Sequence, residues 1–137
     1  MNNDTSRFSV LSAGVPGTVA GLESMYERFG SVSRKSLLKP AIQLAQKGIQ
    51  VQPGLAGSLA YFQKRLAAIP STAAIFYPNQ QAMQPGDDLH QPDLARSLKR
   101  IQRHGKAGFY EGPLAASMID YIQAQGGHFW AVFAFCS

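Results

Sequence analysis

The residues able to do chemistry are thinly spread along this chain of 137 residues. His90, His104 and His128 could ligate a metal or move protons. They stand far apart, however, and no H-x-x-x-H or Cys/His pair accompanies them. His104 closes an amphipathic run, where a cation answers the helix dipole. Asp87, Asp88 and Asp93 could line a cation loop but lack the EF-hand spacing, and Asp93 reads as a first-turn helix acid. No serine sits in a G-x-S-x-G elbow. Cys136, the single cysteine, excludes an intramolecular disulfide and is poorly placed for a supported nucleophile. These residue types and spacings supply no catalytic, substrate-binding or metal site, and no cofactor is expected.

Two stretches could still bind an anion. In "SAGVPGTVAGLESMYERFG", Gly14, Gly17 and Gly21 lead into a helical run, as in a turn that cradles phosphate or carboxylate. The spacing matches neither G-x-G-x-x-G nor a P-loop, and no basic residue lies in the turn. The other reading is packing: Pro16 sets the first turn, while Gly17 and Gly21 keep one helix face flat. Packing is the favoured one. The second stretch is Arg96, Lys99, Arg100 and Arg103 at helical spacing, a stripe that could meet an acidic partner. Leu94, Leu98 and Ile101 occupy the opposite face, so the stripe reads as the solvated side of an amphipathic helix.

The elements that must position these residues are mainly helices. Hydrophobic residues form 45% of the chain and charged residues 15%, too apolar for disorder. The longest apolar run, 129–136, is too short to span a bilayer. The net charge is +5, scattered among acids, so no nucleic-acid partner is expected. The spacing predicts about five short helices. The first covers 16–29, with Val19, Leu22, Tyr26 and Phe29 on one face. The second covers 34–47, with Leu38, Ala41, Ile42 and Ala45 inward and Pro40 inside, so it either starts late or has a distorted first turn. The third begins near Pro53, turns Leu55, Leu59, Phe62 and Leu66 inward and stops before Pro70. The fourth covers 92–104, and the fifth starts near Pro113, with Leu114, Met118, Tyr121 and Ile122 on one face, and ends at Gly126. Residues 71–77 could add a short helix, Pro78-Asn79 is a turn, "QPGDDLHQPD" is a loop, and one strand is expected near residues 8–12. A lone strand cannot satisfy its own backbone, and the broad apolar faces need a cover.

The order of the motifs adds more than any one of them. "GVPGTVAGLESMYERFG", "PAIQLAQKG", "QPDLARSLKRI" and "FYEGPLA" succeed one another, and the chain resembles the gamma-glutamyltranspeptidase (glutathione hydrolase) family over most of its length. The matched part resembles an interior piece of the family's large subunit. The resemblance implies a mostly helical fragment of an αββα N-terminal-nucleophile hydrolase. It also implies gamma-glutamyl transfer from glutathione to water, amino acids or peptides through a threonine of the small subunit, which would be the chain's partner. None of the family's catalytic parts carries over: Arg7 and Arg28 are outside its substrate-arginine motif, and Thr5, Thr18 and Thr72 do not match its nucleophile. The chain alone is therefore expected to be inactive. Residues 1–127 follow the family pattern, while 128–137, "HFWAVFAFCS", depart from it as an aberrant apolar tail. The first residues show no export signal, which implies a cytoplasmic place for the chain as it stands, whereas the family is usually periplasmic, secreted or at the cell surface. The alternatives are a small helical binding module for an acidic partner, or a remnant without function.

Overall fold

The structure is a computed structural model, and it describes residues 9–10, 14 and 16–127. It is mostly helical, with two compact units: one draws on Met1–Leu37 and Ser97–Ser137, the other is Leu38–Arg96. Eight α-helices stand among the described residues. They are α1 (Thr18–Phe29), α2 (Arg34–Lys47), α3 (Pro53–Tyr61), α4 (Gln63–Leu66), α5 (Pro70–Phe76), α6 (Pro92–His104), α7 (Ala107–Tyr110) and α8 (Gly112–Ala124). A 3-10 turn at Pro78–Gln80 holds Asn79 at φ 55°. Two short strands, β1 (Ile49–Gln50) and β2 (Asp88–Leu89), pair antiparallel with Ile49 opposite Leu89.

The second unit has an ordinary core. Val51, Ala56, Leu59, Tyr77, Ala82, Met83 and Leu89 are buried together, with Leu55, Leu66 and Phe76 packed against them. Burying each leucine-sized side chain stabilises by about 1.5–3 kcal/mol. The small sheet contributes Leu89 to this core, and the backbone next to it is tied across the pair. Val51 donates its N–H to Asp87 O at 2.8 Å, and Gly86 donates to Val51 O at 2.9 Å. Tyr77 donates its hydroxyl to Leu59 O at 2.8 Å, so its one polar atom is satisfied inside. Gly48 ends α2 at φ 87°, where an added Cβ would lie 2.6 Å from the His90 ring. Only glycine allows both that backbone angle and the imidazole above it.

Several expected features change. The helix predicted from Pro53 breaks at Phe62, whose φ of −94° and ψ of 9° leave the α region; Phe62 is therefore partly exposed instead of facing inward. Pro40 is accommodated well inside α2, which starts at Arg34 with Ser33 as its cap: the Ser33 hydroxyl oxygen accepts the Ser36 N–H at 3.2 Å. Of the strand expected near 8–12, only Ser9 and Val10 are described, and neither is in a strand. The pairing that does occur, β1 with β2, places a strand inside the expected loop "QPGDDLHQPD". Two-residue strands are too short to show alternation in sequence. The expected tail, 128–137, lies outside the described residues.

Candidate functional site

The glycine-rich start of α1 is held by a tyrosine from a distant motif. Gly17 is the N-cap and offers no side chain to the orphan N–H groups of the first turn. The Tyr110 hydroxyl takes that place: it accepts the Ala20 N–H at 3.0 Å and donates to Pro16 O at 2.6 Å. Tyr110 is buried, and Phe109 meets its ring edge-on at 4.9 Å. A neutral phenol thus satisfies the helix start, so this turn is organised as packing and not as an anion cradle. Gly21, however, does not pack as expected: a Cβ added there would meet nothing within 4 Å among the described residues.

A second polar junction fixes the middle of α1. Glu23 is 7% exposed and forms an ion pair with Arg34. Arg34 also donates its Nε–H to Glu23 Oε2 at 3.3 Å, and its backbone N–H to the Tyr26 hydroxyl at 3.1 Å. Its guanidinium lies 5.0 Å from the centre of the Tyr26 ring, within cation–π range. Gly105, at φ 59°, completes the junction, because a Cβ there would stand 2.7 Å from Glu23 Oε1. Charge neutralisation and hydrogen bonds to both carboxylate oxygens are what make a buried Glu tolerable.

The candidate groups read from sequence are not gathered into one site. Among the described residues, no three His, Cys, Asp or Glu side chains could hold a metal ion. Asp87 accepts the Gln84 N–H at 2.7 Å and so closes a turn. Asp93 lies in the first turn of α6 and pairs with Arg96, and His104 lies in its last turn. The basic stripe is not uniformly solvated: Arg100 is partly buried and directs its Nε–H to Gly108 O at 3.4 Å. Thr18 begins α1 and Thr72 lies within α5. Thr5, Arg7, His128 and Cys136 are outside the described residues. An open cleft of about 390 Å³ in the second unit is lined by Ile75, Met83, Asp88, His90 and Leu94, with no nucleophile–base pair among them. Burial pushes the Tyr77 hydroxyl above its ordinary pKa of 10.0, a consequence of its place in the core.

What the structure brings together, then, are the motifs themselves: "PGTVAGL" meets "FYEGPLA" through Tyr110, and Glu23 meets Arg34 under Gly105. Sequence reasoning missed all three positioning side chains. Glu23 left a signal, a charge between Leu22 and Met25 in an apolar run, whereas nothing near Tyr110 announced a partner so far away in the chain. The family profile described as gamma-glutamyltranspeptidase matches residues 1–131. This chain belongs to the gamma-glutamyltranspeptidase family. It is 39% identical over 118 residues to a glutathione hydrolase proenzyme of Bacillus subtilis, covering 85% of this chain and 20% of that protein. It is 43% identical over 105 residues to the capsule biosynthesis protein CapD proenzyme of Bacillus anthracis, covering 77% of this chain and 20% of that one. Among solved structures, the gamma-glutamyltranspeptidase of Helicobacter pylori superposes with a TM-score of 0.88 at 34% identity, covering 93% of this chain and 37% of that one. The chain thus spans about a fifth of the length of these curated family members. No described helix is long and apolar enough to cross a membrane.

Proposed function

We propose that this chain is a scaffold portion of a gamma-glutamyltranspeptidase of the αββα N-terminal-nucleophile hydrolase type, whose complete form transfers gamma-glutamyl groups from glutathione or related amides. The observation that carries this reading is the family match over 1–131 together with a backbone superposing at 0.88 on a solved family member. The chemistry would come from the small subunit, with its threonine nucleophile, so the 137-residue chain by itself is inactive. Its polar side chains are in keeping with that role, since Tyr110, Glu23 and Arg34 are engaged in holding helices. Residues 1–127 would form the family part and 128–137 a departure from its pattern, although the profile match runs on to residue 131. The likeness to both a glutathione hydrolase and a capsule biosynthesis protein supports a reading in which substrate choice is made outside this segment.

The test is a transplant. The matched segment of the Bacillus subtilis relative is replaced by residues 9–127 of this chain, and release of anilide from a gamma-glutamyl anilide is measured. The chimera is expected to hydrolyse it, and the isolated chain is not. Turnover by the isolated chain, free of any full-length enzyme, would overturn the assignment of the chemistry to another segment. The reading as a module for acidic partners is not favoured, because Arg96 is paired with Asp93 and Arg100 faces the Gly108 carbonyl.

A further inference from the structure

Helix α1 is inside out for a helix of a free-standing domain. Its buried residue is Glu23, whereas Leu22, Met25 and Phe29 are 60%, 61% and 79% exposed. These three are spaced by three and four, so they lie along one stripe, and Gly21 leaves a flat spot beside it with nothing within 4 Å of a would-be Cβ. Adjacent residues on a helix differ by about 100° in direction. Turning the stripe inward would therefore swing Glu23 out and break its pair with Arg34. The Tyr110 bonds to Pro16 and Ala20 resist the same rotation from the other end. The outward direction of the apolar face is thus built in by two polar clamps.

We infer that the Leu22–Met25–Phe29 face of α1 is a docking surface for the rest of a gamma-glutamyltranspeptidase polypeptide, which presents an apolar face to it, and that the Glu23–Arg34 pair sets its direction. This rests on the proposed function. The occupant follows from the match itself: the backbone reproduces a segment that makes up 37% of the solved Helicobacter pylori chain, so most of that body lies outside the segment. The stripe carries no charge, which suits an apolar partner surface better than an acidic one. A glycine beside three large apolar side chains gives a face of alternating depth, suited to interdigitation.

The experiment uses the transplanted enzyme and the isolated chain side by side, with Met25 as a reporter, because susceptibility of methionine to peroxide follows exposure. In the isolated chain Met25 is expected to oxidise readily by peptide mass spectrometry. In the chimera it should react about tenfold more slowly, since it passes from exposed to covered. The double variant Leu22→Ser with Phe29→Ser should leave the isolated chain folded by circular dichroism but lower the yield of folded, active chimera. A chimera with the unsubstituted segment that does not fold would overturn the proposed function and this inference with it. A chimera that folds and turns over substrate, yet keeps Met25 reactive or tolerates the double variant, would overturn the docking surface alone. An isolated chain that forms a discrete dimer with Met25 protected would assign the face to a second copy and overturn the proposed occupant.

Discussion

The core of the Leu38–Arg96 unit and helix α1 of the other unit solve the same problem in opposite ways. Around Val51, Leu59, Tyr77 and Leu89, apolar side chains face inward, and the one hydroxyl among them donates to a carbonyl. In α1 the one buried residue is Glu23, with Val19, Ala20 and Tyr26 half-buried beside it, and Leu22, Met25 and Phe29 face out. The first arrangement draws its stability from area removed from water. The second is held by directional bonds whose geometry admits one setting of the helix, and its apolar face is kept for something beyond the chain. Burial of polar groups here is the device that sets orientation, a use attested for some buried polar side chains.

That contrast can be broken at either end. The largest effect is expected from Leu59→Ala, which empties a site 4% exposed in the apolar core. It should lower stability by about 3 kcal/mol in urea denaturation, with faster hydrogen exchange across residues 38–96. Glu23→Ala comes next, at about 2–3 kcal/mol, less than for a fully buried pair because Arg34 keeps 28% of its side-chain surface. If Glu23→Ala proved neutral, the clamp would be dispensable and the helix free to turn.

Tyr77→Phe sharpens the comparison on the apolar side, costing about 1 kcal/mol for the lost bond to Leu59 O. It also carries a pH signature. Burial raises the Tyr77 pKa above 10.0, so the stability it contributes is fully present below that pH and is lost as pH rises, because the unfolded chain releases the proton first. The gap between parent and variant should therefore narrow in denaturation curves taken at strongly alkaline pH. The smallest effect belongs to Phe29→Ser. At 79% exposure it should change the stability of the isolated chain by no more than about 0.5 kcal/mol. A loss as large as that of Leu59→Ala would mean that α1 buries its stripe within the chain after all.

Much of the helical layout was legible beforehand. The expected spans 34–47 and 92–104 coincide with α2 and α6, and the stops at Gly30, Gly48, Gly105 and Gly126 each follow a helix. Apolar spacing and glycine punctuation are local signals, and they survive folding wherever a segment is long enough to show a period. Helices α4 and α7, of four residues each, and the strands of two are too short for that. The face expected on α1 splits for a different reason, with Val19 and Tyr26 half-buried and Leu22 and Phe29 exposed. Leu22 and Phe29 fall at core spacing with Val19 and Tyr26, and apolar period marks a face that will be covered without saying by what.

By itself, the sequence determined the helices, their punctuation and, through the order of four motifs, the family. These follow from short-range sterics, backbone hydrogen bonding and the succession of residues along one chain. Only the tertiary structure decided which face of α1 turns inward, what satisfies its glycine-capped start and how "PGTVAGL" and "FYEGPLA" meet. Each of those rests on groups distant in sequence, Tyr110 with Pro16 and Gly105 with Glu23, whose contact depends on how the chain returns on itself. The glycines at the start of α1 looked like a flat face for close packing. In the fold that face turns outward, because a buried Glu–Arg pair holds it there.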